Sequence, residues 1–386
     1  MNEEQSKLLF LGVGSGGGRL AAAVRARYDG EMRVLCMDTD ALANREIQQT
    51  AETPCVLFGG GRLAGNGTGG SYTLGQQAFC DDVSLFEKHL AGVRTVVILT
   101  CLGGGTGSGA TPEIARRLNA KGIATLCFAT RPFSFESQAR QDVASRMLPS
   151  IDENVDALVE VRLDDLSDET GAETLARAIE ISNDLLASAV SLLWRMVARP
   201  GFISADPERL RGLIARGGNV SFGSATASGE HRVEQLTDAL RGNRLLRADE
   251  TLGKAHALLV GIVGGDDLRL TEIGGIMRML RGWCGADCNI ELGTVLDPAF
   301  NGRVELVVLA FESAVFPPEM QAGDPPVATE LLSLSKSGKR VKKPTASKLS
   351  FGTTGDGKFQ NVESTMWNNN NLDTPTYLRR KIQLER

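Results

Sequence analysis

The run Cys101-Leu102-Gly103-Gly104-Gly105-Thr106-Gly107-Ser108-Gly109-Ala110-Thr111-Pro112 constrains this 386-residue chain more than any other stretch. It follows an apolar run, Thr95–Leu102, that reads as a strand, and it opens an amphipathic segment, Gly107–Lys121, that reads as a helix. Backbone N–H groups at a glycine-rich turn and at a helix N-terminus form a positive nest for phosphate, and nearby hydroxyls add donors. The run lacks the Gly-Lys-Ser/Thr ending of a Walker loop, so it is not a lysine-cradled phosphate loop. A second glycine run, Gly12-Val13-Gly14-Ser15-Gly16-Gly17-Gly18, follows the first predicted strand. Alone it fits a tight strand-to-helix turn as well as it fits the fingerprint of a nicotinamide-binding oxidoreductase. Two such loops at strand C-terminal ends in one sheet point to a nucleotide lying across the strand tips. The Gly103–Gly109 loop has no purpose in the oxidoreductase reading.

The rest of the pattern predicts an α/β fold. Apolar runs at Leu8–Val13, Arg33–Met37, Cys55–Phe58, Thr95–Leu102, Ala124–Ala129 and Ala157–Val161 alternate with amphipathic segments such as Gly107–Lys121 and Glu136–Val155. That alternation indicates a parallel sheet covered on both faces. Residues 172–198 contain no Gly or Pro and read as one long helix, stopped by Arg199-Pro200-Gly201. Its apolar positions wrap more than one side, as expected of a helix between two domains. Strands at Asn219–Ala227, Ala255–Val263, Asn289–Val295 and Val304–Phe311, with helices at Glu230–Leu240 and Thr271–Arg281, predict a smaller α/β domain. The expected boundaries are 7–171 for the first domain, 172–198 for the central helix and 199–313 for the second domain. A disordered linker over 314–371, rich in Pro, Ser, Lys, Gly and Asn, and a terminal peptide over 372–386 complete the chain.

Charge divides the chain in the same place. From Leu331 to Arg386 there are 11 Lys or Arg against 4 Asp or Glu, a surplus of 7, so the overall −5 leaves −12 on residues 1–330. An acidic body of this kind excludes a general nucleic-acid-binding fold, because phosphate contacts need a positive face. The polar start Met1–Lys7 is not that of a signal peptide, and no run of about 18 apolar residues is present to span a membrane. Seven scattered cysteines, an odd number, match a reducing cytoplasm. Cys284 and Cys288 have metal-like proximity, but no second cysteine pair or nearby histidine completes a zinc set.

These residues carry a resemblance. The Gly103–Gly109 run is the signature of the tubulin/FtsZ family, and Thr130-Arg131-Pro132-Phe133-Ser134-Phe135-Glu136, with Arg140 four residues on, resembles a further loop of that family. Asp38-Thr39-Asp40, Ser182-Asn183-Asp184, Arg199-Pro200-Gly201, Ala227-Ser228-Gly229-Glu230 and Asp267-Leu268-Arg269-Leu270 match in order, and Leu372–Arg380 is similar to the family's tail peptide. The resemblance implies a GTP-binding domain with a Rossmann-like parallel sheet, a long central helix, a smaller C-terminal GTPase-activating domain and a disordered tail. It implies GTP with Mg2+, assembly-dependent hydrolysis and head-to-tail polymerisation with further copies of the same chain. It also implies a cytoplasmic place in the mid-cell division ring, and binding of membrane-tethering division adaptors through Leu372–Arg380, without nucleic acid and without direct membrane insertion. By position, Ser15, Gly16, Gly17, Gly18 and Arg19, with Gly103, Gly104, Gly105, Thr106, Gly107 and Ser108, would face the phosphates. Thr68, Gly69 and Gly70 would sense the γ-phosphate. Asp38, Pro132, Glu136, Arg140, Ile179 and Asn183 would complete the nucleotide contacts, with Asn183 reading the guanine edge.

The departures from the family pattern are specific. Arg19 stands where the family has Asn, Ile179 where it has an aromatic shelf for the base, and Gly70-Ser71-Tyr72 where it has Ala-Asn-Pro. Near the usual base-contacting Asn stands Leu163-Asp164, whose carboxylate could accept from guanine. After the central helix, relatives present two acids to the neighbouring subunit's nucleotide. Here the run is Ser204-Ala205-Asp206-Pro207-Glu208-Arg209: Asp206 is kept, while the second position is Arg209 with Glu208 one residue early. One residue on a helix start rotates a side chain by roughly 100°. Asp206 and Glu208 are therefore the expected catalytic acids, with reduced hydrolysis; the alternative is a divergent filament-forming paralogue that hydrolyses GTP very slowly.

Overall fold

The computed structural model describes residues 7–27, 32–167, 175–198 and 206–312, together with the backbone at 366–367 and 370–371. The chain separates into two units, Met1–Gln321 and Ala322–Arg386.

In the first unit, strands β1 (Leu8–Val13), β2 (Val34–Asp38), β3 (Cys55–Leu57), β4 (Thr95–Cys101), β5 (Ala124–Arg131) and β6 (Ala157–Arg162) are all parallel and lie in the order 3-2-1-4-5-6. This is the doubly wound arrangement, whose order reverses between β1 and β4. Successive residues of β1 divide between two cores: Leu8 and Phe10 join the cluster on one face, and Leu9, Leu11 and Val13 join the cluster on the other. Burial on both faces is why these strands read as continuous apolar runs. Helices α1 (Gly14–Ala26) and α2 (Ala41–Ala51) follow β1 and β2. The short α3 (Gly60–Leu63), α4 (Tyr72–Asp81) and α5 (Val83–Glu87) lie between β3 and β4. Then α6 (Gly105–Ala120), α7 (Gln138–Asp152) and α8 (Leu163–Ser167) follow β4, β5 and β6.

The long helix α9 (Leu175–Ala198) buries Leu186, Ala187, Val190, Leu192, Leu193, Trp194 and Met196. Five consecutive buried residues, Val190–Trp194, cannot lie on one stripe, so the helix is packed around its circumference. Trp194 meets Phe10 of β1 edge-to-face at 6.0 Å, while Leu192 and Met196 press on Gly261 and Gly293 of the second sheet region. The same apolar cluster therefore runs from β1 through α9 to Leu259 and Val295.

Beyond α10 (Pro207–Ile214), strand β7 (Gly218–Ser228) joins the two halves. Its first residues pair in parallel with β6, and the remainder pairs antiparallel with β10 (Arg303–Phe311). Strand β10 pairs antiparallel with β8 (Ala257–Gly264), which runs parallel to the edge strand β9 (Asn289–Leu296). Strands β8 and β9 thus point the same way as β1–β7. Helices α11 (Arg232–Arg241), α12 (Ala248–Thr251) and α13 (Leu270–Trp283) belong to this half; α11 and α13 bury Leu236, Leu240, Ile276 and Leu280 against the outer face of its strands.

Two local expectations change. The Gly12–Gly18 run is no open turn: α1 begins at Gly14, and the glycines from 16 to 18 lie inside its first turns. Packing overrides their poor helix propensity, because a Cβ on Gly17 would overlap the carbonyl of Leu99 on β4. In the second unit, Met366–Trp367 pairs antiparallel with Asn370–Asn371, a short ladder inside the stretch whose composition predicts none. The side chain of Ile179, the Arg199-Pro200-Gly201 stop, the remainder of the 314–371 linker and the 372–386 peptide lie outside the described residues.

Candidate functional site

The switch point between β1 and β4 places the N-termini of α1 and α6 side by side at the strand C-terminal rim. Neither helix has a side-chain cap: the N-cap positions are Val13 and Gly104, whereas Asp40, Ser71 and Asp206 cap α2, α4 and α10. Uncapped N–H groups at two converging helix starts suit an anion.

The glycines here divide by what a Cβ would meet. Gly14 would approach Gly107 N at 2.9 Å, Gly16 would approach Cys101 Sγ at 2.7 Å, and Gly105 would strike the Thr68 hydroxyl. Gly75 of α4 abuts the Gly105 carbonyl and Gly109 of α6 abuts the Tyr72 carbonyl, which seats α4 and the 68–71 loop against the α6 start. These glycines allow close packing. Gly69, Gly70 and Gly104 differ, because nothing lies within 4 Å of the Cβ position at any of them. Gly69 (φ 58°) and Gly70 (φ 86°) need their left-handed backbone, but Gly104 (φ −89°, ψ 164°) has an ordinary conformation and room beside it. A glycine that neither backbone nor packing requires fits a surface that a ligand approaches closely.

Polar groups support the loops from beneath. Ser15 Oγ donates to Asp38 Oδ2 at 2.7 Å, and Thr39 N donates to Asp38 Oδ1 at 2.7 Å. Asp38 is buried, and desolvation pushes its carboxyl above the usual value despite those bonds. The hydroxyls of Thr39 and Thr106 are 2.7 Å apart, and buried Ser108 Oγ accepts from Gly103 N at 3.0 Å. Thr68 is buried while Gly69 and Gly70 are exposed. Gly17, Gly18 and Gly107 are buried, and Arg19 is exposed on α1.

Beside this cradle, Gly103 (φ 94°) lies against Arg140 of α7, whose guanidinium pairs with Glu136 at 3.0 Å. Glu136 also accepts from Phe133 N at 2.9 Å, next to buried Pro132. Asp164 is engaged by Ser134, through N at 3.0 Å and Oγ at 3.0 Å. Asn183 is half-buried on α9, next to Asp184, which pairs with Arg27 just beyond the end of α1 remote from Gly14.

The two expected catalytic acids stand elsewhere. Asp206 caps α10 by accepting from Glu208 N at 2.9 Å. Glu208 pairs with Arg211 at 2.8 Å and with Arg94 at 3.5 Å, and Arg209 reaches Glu291 of β9 at 3.5 Å. Arg94 immediately precedes β4, so Glu208 sits at the opposite end of that strand from Gly103. Seven strand residues at about 3.3 Å each separate them by roughly 20 Å. Sequence reading missed Arg94 and Gly75, and took Thr39 only as part of the Asp38-Thr39-Asp40 match. Only Gly75 carries a local signal, as a glycine within a helical pattern.

Residues 7–170 match the tubulin/FtsZ family, GTPase domain, and residues 218–312 match the FtsZ family, C-terminal domain. The chain belongs to the tubulin/FtsZ family. It is 32% identical over 312 residues to the cell division protein FtsZ of Pseudomonas putida, covering 80% of this chain and 77% of that protein. It is 31% identical over 301 residues to FtsZ of Pseudomonas aeruginosa, covering 78% and 75%. Among solved structures, an empty FtsZ dimer of M. jannaschii aligns with a TM-score of 0.74 at 21% identity, over 83% of this chain and 95% of that one. A GTPγS-bound CetZ2 protofilament of Haloferax volcanii aligns at 0.63 and 22%, over 79% and 92%. As a tubulin/FtsZ member the chain is a GTPase, and the anion cradle at the β1/β4 switch point belongs to its guanine-nucleotide-binding domain.

Proposed function

We propose that this GTPase serves cell division by assembling head-to-tail into filaments. In this reading MgGTP lies on the strand C-terminal rim of one copy and is hydrolysed against the α10 end of the next. The observation that carries the proposal is the Arg94–Glu208 pair, which sets the acidic turn at the far end of β4. A general base must come within about 3 Å of the attacking water, so roughly 20 Å excludes action on the chain's own nucleotide. A nucleotide face and an acidic face at opposite ends form a heterologous contact that repeats without closing. The four exposed large apolar residues among those described, Leu42, Leu57, Phe135 and Leu270, fit such a contact. Each ends or follows a strand, β2, β3, β5 or β8, and these four strands share one direction, so all four residues stand at the same rim.

The cradle fits the triphosphate. Gly69, Gly70 and Gly104 leave space a Cβ would fill, and the starts of α1 and α6 supply N–H donors. Mg2+ keeps several waters and is held chiefly by substrate phosphates, so it needs no dedicated protein cage. Among the described residues no group of three or more His, Cys, Asp or Glu is placed to hold a metal. Arg140 and Glu136 border the site for phosphate or ribose, and Asn183 is assigned to the guanine edge from α9. The relatives named cell division protein FtsZ support a role in the division ring. The Leu372–Arg380 peptide, apolar and basic, is assigned to a membrane-tethering adaptor. Among the described residues no helix is long and apolar enough to cross a membrane.

A second reading, filaments with very slow hydrolysis, is favoured by one observation: Asp206 is engaged as a cap, and Glu208 is engaged by two arginines. GTP-dependent pelleting with phosphate release measured across protein concentration tests both readings. Release that rises above a critical concentration supports catalysis at the contact, and pelleting with negligible release supports the slow filament. Release strictly proportional to protein, without pelleting, would defeat the proposal.

A further inference from the structure

Helix α13 ends at Cys284, whose N–H still reaches the Leu280 carbonyl at 3.1 Å, and the chain then reverses through a tight turn in which Cys288 N donates to Gly285 O at 3.1 Å. That reversal folds two cysteines four residues apart back toward each other, close enough for each thiol to perturb the other's ionisation. Both cysteines are half-buried against the apolar core of this half, while Gly285, Ala286 and Asp287 between them are exposed. The pair is therefore supported from behind and open in front. We propose that Cys284 and Cys288 are a thiol modification site at which a hydroperoxide drives a reversible intramolecular disulfide.

Cys288 serves as the attacking sulfur, and the chemistry is the same with the two exchanged. The neighbouring Cys284 thiol holds that of Cys288 below the ordinary value, and the Arg281 cation acts in the same direction. The Cys288 thiolate attacks the peroxide O–O bond and becomes a sulfenic acid, and the displaced oxygen leaves as water or alcohol with the proton that Cys288 gave up. The Cys284 sulfur then attacks the sulfenic sulfur, forming the S–S bond, and the sulfenic hydroxyl departs as water with the Cys284 proton. Two thiols are oxidised and one peroxide is reduced. A thiol reductant reverses the change by exchange.

A second close pair provides the contrast. Cys36 and Cys55 stand in register on β2 and β3, and each thiol perturbs the other's ionisation. Cys36, however, is 1% exposed beneath the Gly18 carbonyl, and no open turn joins the two. An oxidant reaches the Cys284–Cys288 turn first.

The modification has a place to act. The turn leads directly into β9, an edge strand held on one side only by β8, and Glu291 of β9 is the partner of Arg209 on α10. Closing the disulfide reshapes the start of β9, and with it the hold on the acidic turn. This consequence rests on the assembly reading above.

The full chain treated with hydrogen peroxide, alkylated and digested with trypsin gives one peptide, Gly282–Arg303, that carries both cysteines. The proposal expects its mass to fall by the two hydrogens lost, with recovery on dithiothreitol, before any change at Cys36 or Cys55. Persistently alkylated thiols, or oxygen-addition products without the S–S bond, would overturn it. In GTP-dependent pelleting the oxidised protein is expected to show a critical concentration about fivefold higher or more, at the small end of ordinary coupling, and a C284S/C288S double variant treated alike to show no change. A disulfide that leaves pelleting unaltered overturns the link to β9. Failure of the reduced chain to pellet at all counts against the assembly reading, and the peptide mass still decides the chemistry.

Discussion

Arg94 and Glu208, 114 residues apart in sequence, meet at 3.5 Å at the end of β4 opposite the glycine loop. Both side chains are half-exposed, so the pair contributes little stability, within about 1 kcal/mol. Its value is positional, because it sets the acidic turn of α10 roughly 20 Å from the chain's own nucleotide cradle. If hydrolysis requires a neighbour, two defective chains should rescue each other. A variant impaired at the cradle, Gly104→Val, and one impaired at the turn, Asp206→Ala, are each expected to release little phosphate alone. Mixed, they are expected to recover a measurable fraction, since some contacts pair an intact cradle with an intact turn. Absence of recovery would point to catalysis within one chain.

Asp206 caps α10, and the proposed mechanism gives it a second, catalytic duty. As N-cap of α10 it accepts from Glu208 N at 2.9 Å, a bond whose loss to Ala costs about 1 kcal/mol. Asn caps almost as well but carries no charge. Asp206→Asn is therefore expected to keep the urea midpoint while phosphate release per polymer falls at least about tenfold, in line with loss of a catalytic acid or base. An unchanged rate would leave Asp206 as a cap alone.

Two glycines of the cradle predict opposite phenotypes. Gly17→Ala forces a Cβ into the Leu99 carbonyl and is expected to destabilise the fold by about 1–3 kcal/mol. Gly104→Ala fits its backbone, meets nothing within 4 Å, and is expected to leave thermal stability equal or slightly raised. Its nucleotide affinity is expected to fall about tenfold or more, equivalent to about 1.4 kcal/mol. Melting curves and a fluorescent GTP analogue titration separate the two effects.

The second half of the unit has an acid-sensitive clamp. Arg232, 5% exposed, bonds Glu272 at 2.6 Å and Asp267 at 2.7 Å. Its guanidinium holds the Glu272 carboxyl below the ordinary value of 4.5. A depressed folded value means that the contribution is complete above that ordinary value and is lost as pH falls through the lower, folded one. Urea unfolding between pH 7 and about pH 3 is expected to show part of the acid slope disappear in Glu272→Gln. Arg232→Ala strands two carboxylates and is expected to cost about 2–3 kcal/mol at neutral pH, discounted because Asp267 is 44% exposed.

Trp194 holds the junction of the two halves. It is fully buried on α9 and stands edge-to-face with Phe10. Trp194→Ala is expected to cost about 3–5 kcal/mol in chemical unfolding. A loss under about 1 kcal/mol would mean that α9 is not the common core of both halves.

Much of this molecule is legible before any tertiary contact is considered. The strands of the first half are visible because burial on both faces makes them apolar without interruption, and Gly103–Gly109 is visible because the start of α6 packs so closely on its neighbours that Gly105, Gly107 and Gly109 admit no Cβ. The start of α1 was less legible: Gly16, Gly17 and Gly18 argue locally for a loop, and only the approach of Leu99 and Cys101 makes them helical. Asp164 and Ser108 carry donors or acceptors that their sequence neighbours leave unassigned. The bond between Ser108 and Gly103 N, five residues apart, needs only the start of α6, whereas the engagement of Asp164 with Ser134 emerges only when β5 and β6 are side by side.

The sequence by itself determined the fold class, the glycine loop between β4 and α6 and the substitution of Arg209 in the acidic turn, because periodicity and glycine spacing act over a few residues. Which residues meet across the fold was decided by tertiary structure alone. Arg94 reaches Glu208, Gly75 admits the Gly105 carbonyl, and Cys284 comes near Cys288 only after the chain reverses. The reason is physical. A local pattern sets which face of an element is buried, while the direction of each strand sets which end of the sheet a residue occupies. It is that direction which puts the nucleotide cradle and the acidic turn at opposite ends of one chain.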